Sequence, residues 1–273
     1  MKPNKIERKS GSRGVLVAAG AVLLVIAAIG LSMAYTTLRN LYSSQCIVTD
    51  APSQVVVTSG KLVKGDAVAE ALGLRNGTNL AETDFSARRQ VVRKKYPAIR
   101  DISITRQLPN RVTIHVEERE PAVRLNICGR KGDTGRVADA DGVVFQCRRG
   151  TGLLPTIREA QAPGTAAGRQ LQGRAMSALR LAGACRDQEF QELGLLEIDL
   201  SKADYLTATL GSYKTAKIAW EGMDESSESS RKCLIATLRN LRDAIRANID
   251  PGITTWNATC AGRVYADTKE KIR

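Results

Sequence analysis

The sequence predicts an α+β protein. It begins with an N-terminal transmembrane helix, continues into a β-α-α-β-β domain, and ends in a mostly antiparallel β domain with two packed helices. Three observations carry that prediction. Gly14 to Leu38 contains no charged side chain. Between residues 54 and 121, short alternating apolar runs flank two helical stretches. Beyond residue 190, three more alternating runs follow at short intervals and lead into a helix with one apolar stripe.

Gly14–Leu38 reads GVLVAAGAVLLVIAAIGLSMAYTTL. As a helix it would run roughly 37 Å, enough to cross a ~30 Å hydrocarbon core with some tilt. Its apolar residues go all the way round, so it has no face to turn to water. A cleaved signal peptide is the rival reading, with a cut near Ser32-Met33-Ala34, but its apolar region would be only ~7–15 residues long. Ser43-Ser44-Gln45-Cys46 lacks the Leu and the small residue that a lipoprotein signal places before its Cys. Lys2, Lys5, Arg8, Lys9 and Arg13 stand against a single Glu7 before the helix, and positive flanks stay in the cytoplasm. The expected layout is a cytoplasmic tail over 1–13, a span in membrane lipid over 14–38 and a juxtamembrane connector over 39–53. The bulk then lies outside the cytoplasm, on the periplasmic or outer side of the inner (cell) membrane.

The 273-residue chain has a net charge of +13 and an isoelectric point of about 9.7. A nucleic-acid partner is not expected. The bulk lies on the wrong side of the membrane, aromatics make up only 4%, and the basic residues are dispersed apart from a cluster over Arg88–Lys95. Attraction to anionic lipid head groups or to an acidic wall polymer fits the charge better. All six cysteines (Cys46, Cys128, Cys147, Cys185, Cys233 and Cys260) follow the span, where disulfides persist. We expect a Cys128–Cys147 bridge, because the two bracket a hairpin. Closing that loop would contribute ~3 kcal/mol in the chain-entropy model.

The first domain is expected over 54–121. Gln54–Thr58 is a β-branched run. Lys64–Leu72 suits a short helix, and Asn76-Gly77 a turn. Thr83 or Asp84 can cap a second helix that sets Phe85, Val92 and Tyr96 on one face, and Pro97 ends it. Ile99–Arg106 and Val112–Val116 alternate as half-buried strands around Pro109-Asn110. The second domain is expected over 122–266, followed by a charged tail over 267–273. Asp141-Gly142 marks a hairpin within Val137–Phe145. Gly150–Gly168 reads as a loop from its Gly, Pro, Thr and Ala content. Gln170–Arg186 reads as a helix. Leu196/Ile198/Leu200, Leu206/Ala208/Leu210 and Ala216/Ile218/Trp220 read as an antiparallel meander. Arg231–Asn248 is the clearest soluble helix, with Leu234, Leu238, Leu241 and Ile245 on one stripe. Thr254–Thr259 and Arg263–Ala266 are the last strands.

Several of these segments resemble the bacterial cell-division family FtsQ/DivIB. The strongest carriers are Tyr96-Pro97-Ala98-Ile99, Ile102 to Arg106, Leu108 to Ile114, and Val116-Glu117-Glu118-Arg119-Glu120-Pro121-Ala122. Together they resemble the end of an FtsQ-type POTRA domain, with Ala98 where that family commonly has an aromatic. Gly77-Thr78-Asn79-Leu80 and Val137–Phe145 are similar to further family segments, and Lys232 matches a frequent lysine early in the helix. The resemblance implies a POTRA-like first domain. It also implies a bitopic division scaffold at the septum, whose partners are small single-pass division proteins of the FtsB/FtsL type and septal wall-synthesis proteins.

The residues give no sign of catalysis. The single histidine, His115, lies in an alternating strand without spaced partners, and no Gly-rich phosphate loop follows a strand. Asp139 and Asp141 fit turn chemistry. No enzyme activity, cofactor, metal or small-molecule substrate is expected. Recruitment by strand addition is expected instead, because a terminal strand offers unpaired N–H and C=O groups. The candidate edge carries Thr254, Trp256, Thr259, Val264 and Tyr265, with Trp256 and Tyr265 as candidate aromatic anchors and core packing as the equal alternative for Trp256. A second candidate surface is the basic face Arg88, Arg89, Arg93, Lys94 and Lys95, suited to an acidic partner. The alternatives are a POTRA-bearing envelope transport or assembly factor and a membrane-tethered envelope hydrolase.

Overall fold

A computed structural model describes residues 11–107, 109–129, 132–223, 227–248, 250, 252–260 and 262–267. Of the expected tails, only 11–13 and Asp267 fall among these residues. The first element, α1 (Gly11–Gln45), is longer than the span read from the sequence. Leu23–Gln45 within it is the one helix, among the described residues, long and apolar enough to cross a membrane. The segment expected as a connector is partly helix and partly core. Cys46 and Val48 are fully buried. Val48 donates its N–H to Thr78 O (2.9 Å) and accepts from Gly77 N–H (2.7 Å), so the chain leaving α1 is stitched directly to the first folded unit.

That unit comprises a short α2 (Ala51–Gln54), β1 (Val55–Thr58), α3 (Gly65–Ala71), α4 (Phe85–Lys95), β2 (Ile99–Gln107) and β3 (Arg111–Glu118). The sheet order is β1-β3-β2, with β1 parallel to β3 and β2 antiparallel to it. A parallel pair needs a crossover connection, and α3 with α4 supplies it. The alternation read in the sequence sets the faces. Val112, Ile114 and Val116 turn inward and meet Val68, Leu72 and Val92 from the helices. Asp84 starts α4, its carboxylate accepting the Ser86 and Ala87 N–H groups at 2.9 and 3.3 Å. Those bonds hold its carboxyl below the usual range, the Ser86 hydroxyl contributing most. Tyr96, at φ −122° and ψ 82° and so outside the α region that a following proline disfavours, closes the helix.

The second unit is a nine-stranded sheet. Its strands are β4 (Val123–Ile127), β5 (Arg136–Ala138), β6 (Val144–Gln146), β7 (Thr156–Ala160), β8 (Glu197–Asp199), β9 (Tyr205–Thr209), β10 (Thr215–Ala219), β11 (Thr255–Ala258) and β12 (Tyr265–Ala266). They run in the order β12-β11-β10-β9-β8-β7-β4-β5-β6. The β8-β9-β10 meander is antiparallel, as expected. The β10–β11, β7–β8 and β4–β7 pairs are parallel. Two helices, α5 (Arg174–Ala184) and α6 (Glu228–Ala247), share a core with the strands. Leu234, Leu238 and Leu241 of α6 are buried, which is the stripe read from the sequence.

Two readings need correction. Gly150–Gly168 is not a loop throughout, because β7 runs through it between β4 and β8. Its hydrogen bonds come from strands on both sides, so a short segment with Ile157 and Ala160 as its buried residues suffices. A register shift opposite Leu125–Ile127, with Glu159 at φ 56°, hides the alternation. Likewise, Cys128 and Cys147 both stand as thiols, Cys128 exposed and Cys147 buried. They bracket the β5–β6 hairpin in sequence but follow β4 and β6, two strands apart in the sheet. Cys147 pairs with Gly135 and Cys128 with Ala160, and β5 lies between β4 and β6. Two spacings of ~4.8 Å exceed the ~7 Å Cα span a disulfide can bridge.

Candidate partner-binding surfaces

The two edges of the large sheet differ. At β6, Val144 N–H donates to Arg169 O (2.8 Å) and Gly168 N–H donates to Val144 O (2.7 Å), so a returning segment covers that edge. At the other end, among the described residues, β12 pairs only with β11, Trp256 opposite Ala266 and Asn257 opposite Tyr265. Asp267 N–H donates to Thr255 O at 2.8 Å. Alternation along an antiparallel ladder then turns the N–H and C=O of Ala266, and of Val264 before it, away from the sheet. Asp267 also reaches back over β11 to pair with Lys217 of β10 (2.5 Å). That bond is the main cause that raises the lysine's pKa. The ion pair fastens an edge strand only two residues long.

The residues expected along this edge do not act alike. Tyr265 is 49% exposed and stands at the rim. Thr254 is exposed, Thr259 and Val264 are half-buried, and Val264 packs on the core. Trp256 is 4% exposed and belongs to the core, so it is not presented to a partner. Its alternation places it on the inner face with Ala258. Its indole N–H has no hydrogen-bond partner among the described residues.

The basic cluster on α4 also divides. Arg88 donates to Leu72 O (2.7 Å) and Gly73 O (3.2 Å), tying down the end of α3. Arg89 donates to Ile102 O at 3.4 Å. These two serve the fold. Arg93, Lys94 and Lys95 occupy the last turn of α4 and are exposed, and Lys95 lies 5.4 Å from the Tyr96 ring centre.

The segment Glu117-Glu118-Arg119 closes the first unit, and Arg119 ties it to the second, a role that spacing alone did not disclose. The Glu118 carboxylate accepts the N–H groups of Lys61, Leu62 and Val63 at 2.8–3.0 Å. Arg119 donates to Pro97 O and pairs with Asp139 beyond the junction (2.5 Å). Asp139 in turn accepts Val143 N–H at 2.7 Å, so it is both the turn residue expected and half of a buried ion pair. Val137, Phe145 and Cys147 bury one face of β5 and β6 against Leu62 and Ala98 of the first unit.

His115 is exposed on β3, and among the described residues no group of three or more His, Cys, Asp or Glu is placed to hold a metal. The family model for the POTRA domain, FtsQ-type, matches residues 51–119, the β-α-α-β-β unit described above. The match supports the FtsQ/DivIB family. Two relatives carry those names. The chain is 24% identical over 128 residues to the cell division protein FtsQ of Corynebacterium glutamicum, covering 47% of this chain and 50% of that protein. It is 27% identical over 102 residues to the cell division protein DivIB of Clostridium acetobutylicum, covering 37% of this chain and 39% of that protein. The chain thus spans half or less of the FtsQ and DivIB relatives it matches.

Proposed function

We propose that this chain is a single-pass division scaffold, anchored by α1, that captures partner proteins at the septum by strand addition to β12. The observation that carries the reading is the asymmetry of the sheet: segment 168–170 occupies the β6 edge, whereas β12 turns backbone groups of Ala266 and Val264 outward. The names of the FtsQ and DivIB relatives add the division role, and the FtsQ-type POTRA unit fits an envelope scaffold. On this reading the N-terminus is cytoplasmic and the folded units extracytoplasmic. The partners are small single-pass proteins of the FtsB/FtsL type, together with septal wall-synthesis proteins. An added strand would form main-chain bonds with β12, and Tyr265 would supply an aromatic contact at the rim. The scaffold works through contacts and carries out no chemistry.

Val264→Pro is the direct test, since it deletes the outward N–H at a position outside the hydrogen-bonded core of the ladder. Full-length protein carrying the change is expected to melt like the wild type and to lose co-purification of its FtsB/FtsL-type partners. Retained co-purification with intact folding would refute strand addition.

A further inference from the structure

We propose that the cleft between the end of α4 and segment 166–169 binds a carboxylate-rich peptide segment of a partner protein. It lies at the opposite end of the sheet from β12 and does not depend on strand addition. Its volume is about 350 Å³, at the lower end of the ~300–1,000 Å³ usual for binding clefts.

Charge and chain origin argue for a built surface. Arg93 and Lys94 reach the cleft from α4, and Arg169 reaches it from the segment that covers β6. All three are exposed, and among the described residues none makes an ion pair. Their neighbours are occupied: Arg88 and Arg89 bind backbone carbonyls, and Arg100 pairs with Glu117 (3.4 Å) and Asp141 (3.7 Å). Arg119 at the base is neutralised by Asp139, which leaves three uncompensated cations at the mouth. Basic residues in a last helical turn ordinarily just complement the helix dipole. That explanation covers Arg93 and Lys94 but not Arg169, which the fold brings to the same cleft from a distant stretch of chain.

The walls decide what kind of anion fits. Pro97 and Val143 contribute apolar surface, so an occupant with aliphatic parts gains contact there. The carbonyl end of α4 borders the cleft, so an anion there is held by the side-chain tips of Arg93, Lys94 and Arg169 and not by helix N–H groups. Carboxylates spaced along an extended peptide can meet the flexible side-chain tips one at a time.

The test uses full-length protein in neutral detergent micelles and a fluorescein-labelled decapeptide of alternating Glu and Ala, read by anisotropy. The Gln–Ala counterpart serves as the uncharged comparison. Arg93→Ala/Lys94→Ala/Arg169→Ala is expected to weaken binding of the Glu–Ala peptide about ten-fold, as for loss of several complementary charges, with an unchanged melting temperature. Lys64→Ala/Lys202→Ala/Arg231→Ala, which removes equal charge elsewhere, is expected to bind as the wild type does. The Gln–Ala peptide is expected to bind at least about ten-fold more weakly than the Glu–Ala peptide. No binding of the Glu–Ala peptide, equal binding of the Gln–Ala peptide, or an equal loss in the control variant would overturn the proposal. Tighter, cleft-dependent binding of inorganic polyphosphate of matched charge would assign the cleft to a phosphate polymer and overturn the peptide assignment.

Discussion

At the scale of single residues, two buried groups set measurable consequences. Arg119 and Asp139 keep only 11% and 7% of their side-chain surface exposed. Removing one partner of such a pair strands the other charge in a dry site. Arg119→Ala is therefore expected to destabilise the protein by about 3 kcal/mol, read by thermal or denaturant unfolding; a change near zero would show that the pair does not hold the junction. Cys185 is the second. Burial, helped by the nearby Asp187 charge, pushes its thiol from 9.0 up to about 12. The folded state favours the neutral thiol, so this contribution is complete below pH 9 and is lost as pH rises toward 12. The melting temperature of the wild type is expected to fall more steeply from pH 8.5 to 11 than that of Cys185→Ala. Parallel curves would contradict the assignment. Trp256 shows what residue-level reading leaves open. An aromatic in a terminal strand suits a partner anchor, but position in the β11 alternation decides its direction, and it turns inward.

At the scale of elements, legibility followed periodicity. The α6 stripe of Leu234, Leu238 and Leu241 was readable because a helix buried on one side repeats its apolar residues every three or four positions. β2 and β3 were readable because one face of their sheet is covered and the other is not. β7 was not, since its bonds come from neighbours that only the three-dimensional sheet supplies, and a bulge at Glu159 breaks its alternation. The Cys128–Cys147 expectation failed for a related reason: sequence brackets a hairpin, whereas the sheet inserts β5 between β4 and β6. The candidate edge was legible as a terminal strand, but which of its residues face outward depended on register. Helix α6 permits a direct check of the packing. Ser227 caps it by accepting Ser230 N–H at 3.2 Å, and Ser227→Ala is expected to cost about 1 kcal/mol. Leu238, 1% exposed, should cost about 3 kcal/mol on truncation to Ala. Equal effects of the two changes in denaturant titrations would mean that α6 is not docked as described.

At the scale of the whole molecule, a membrane-length helix leads through residues 46–50 into the POTRA unit, and that unit is fastened to the large sheet by the Arg119–Asp139 pair and the Val137/Phe145 contact. The α4 cleft lies at this junction, and the β12 edge lies at the far end of the large sheet. The central claim is that this scaffold serves division. Imaging an N-terminal fluorescent fusion of the full chain in dividing cells of its own host tests it most directly. A band at the division plane that appears as constriction begins is expected. An even signal around the envelope throughout the cell cycle would contradict it.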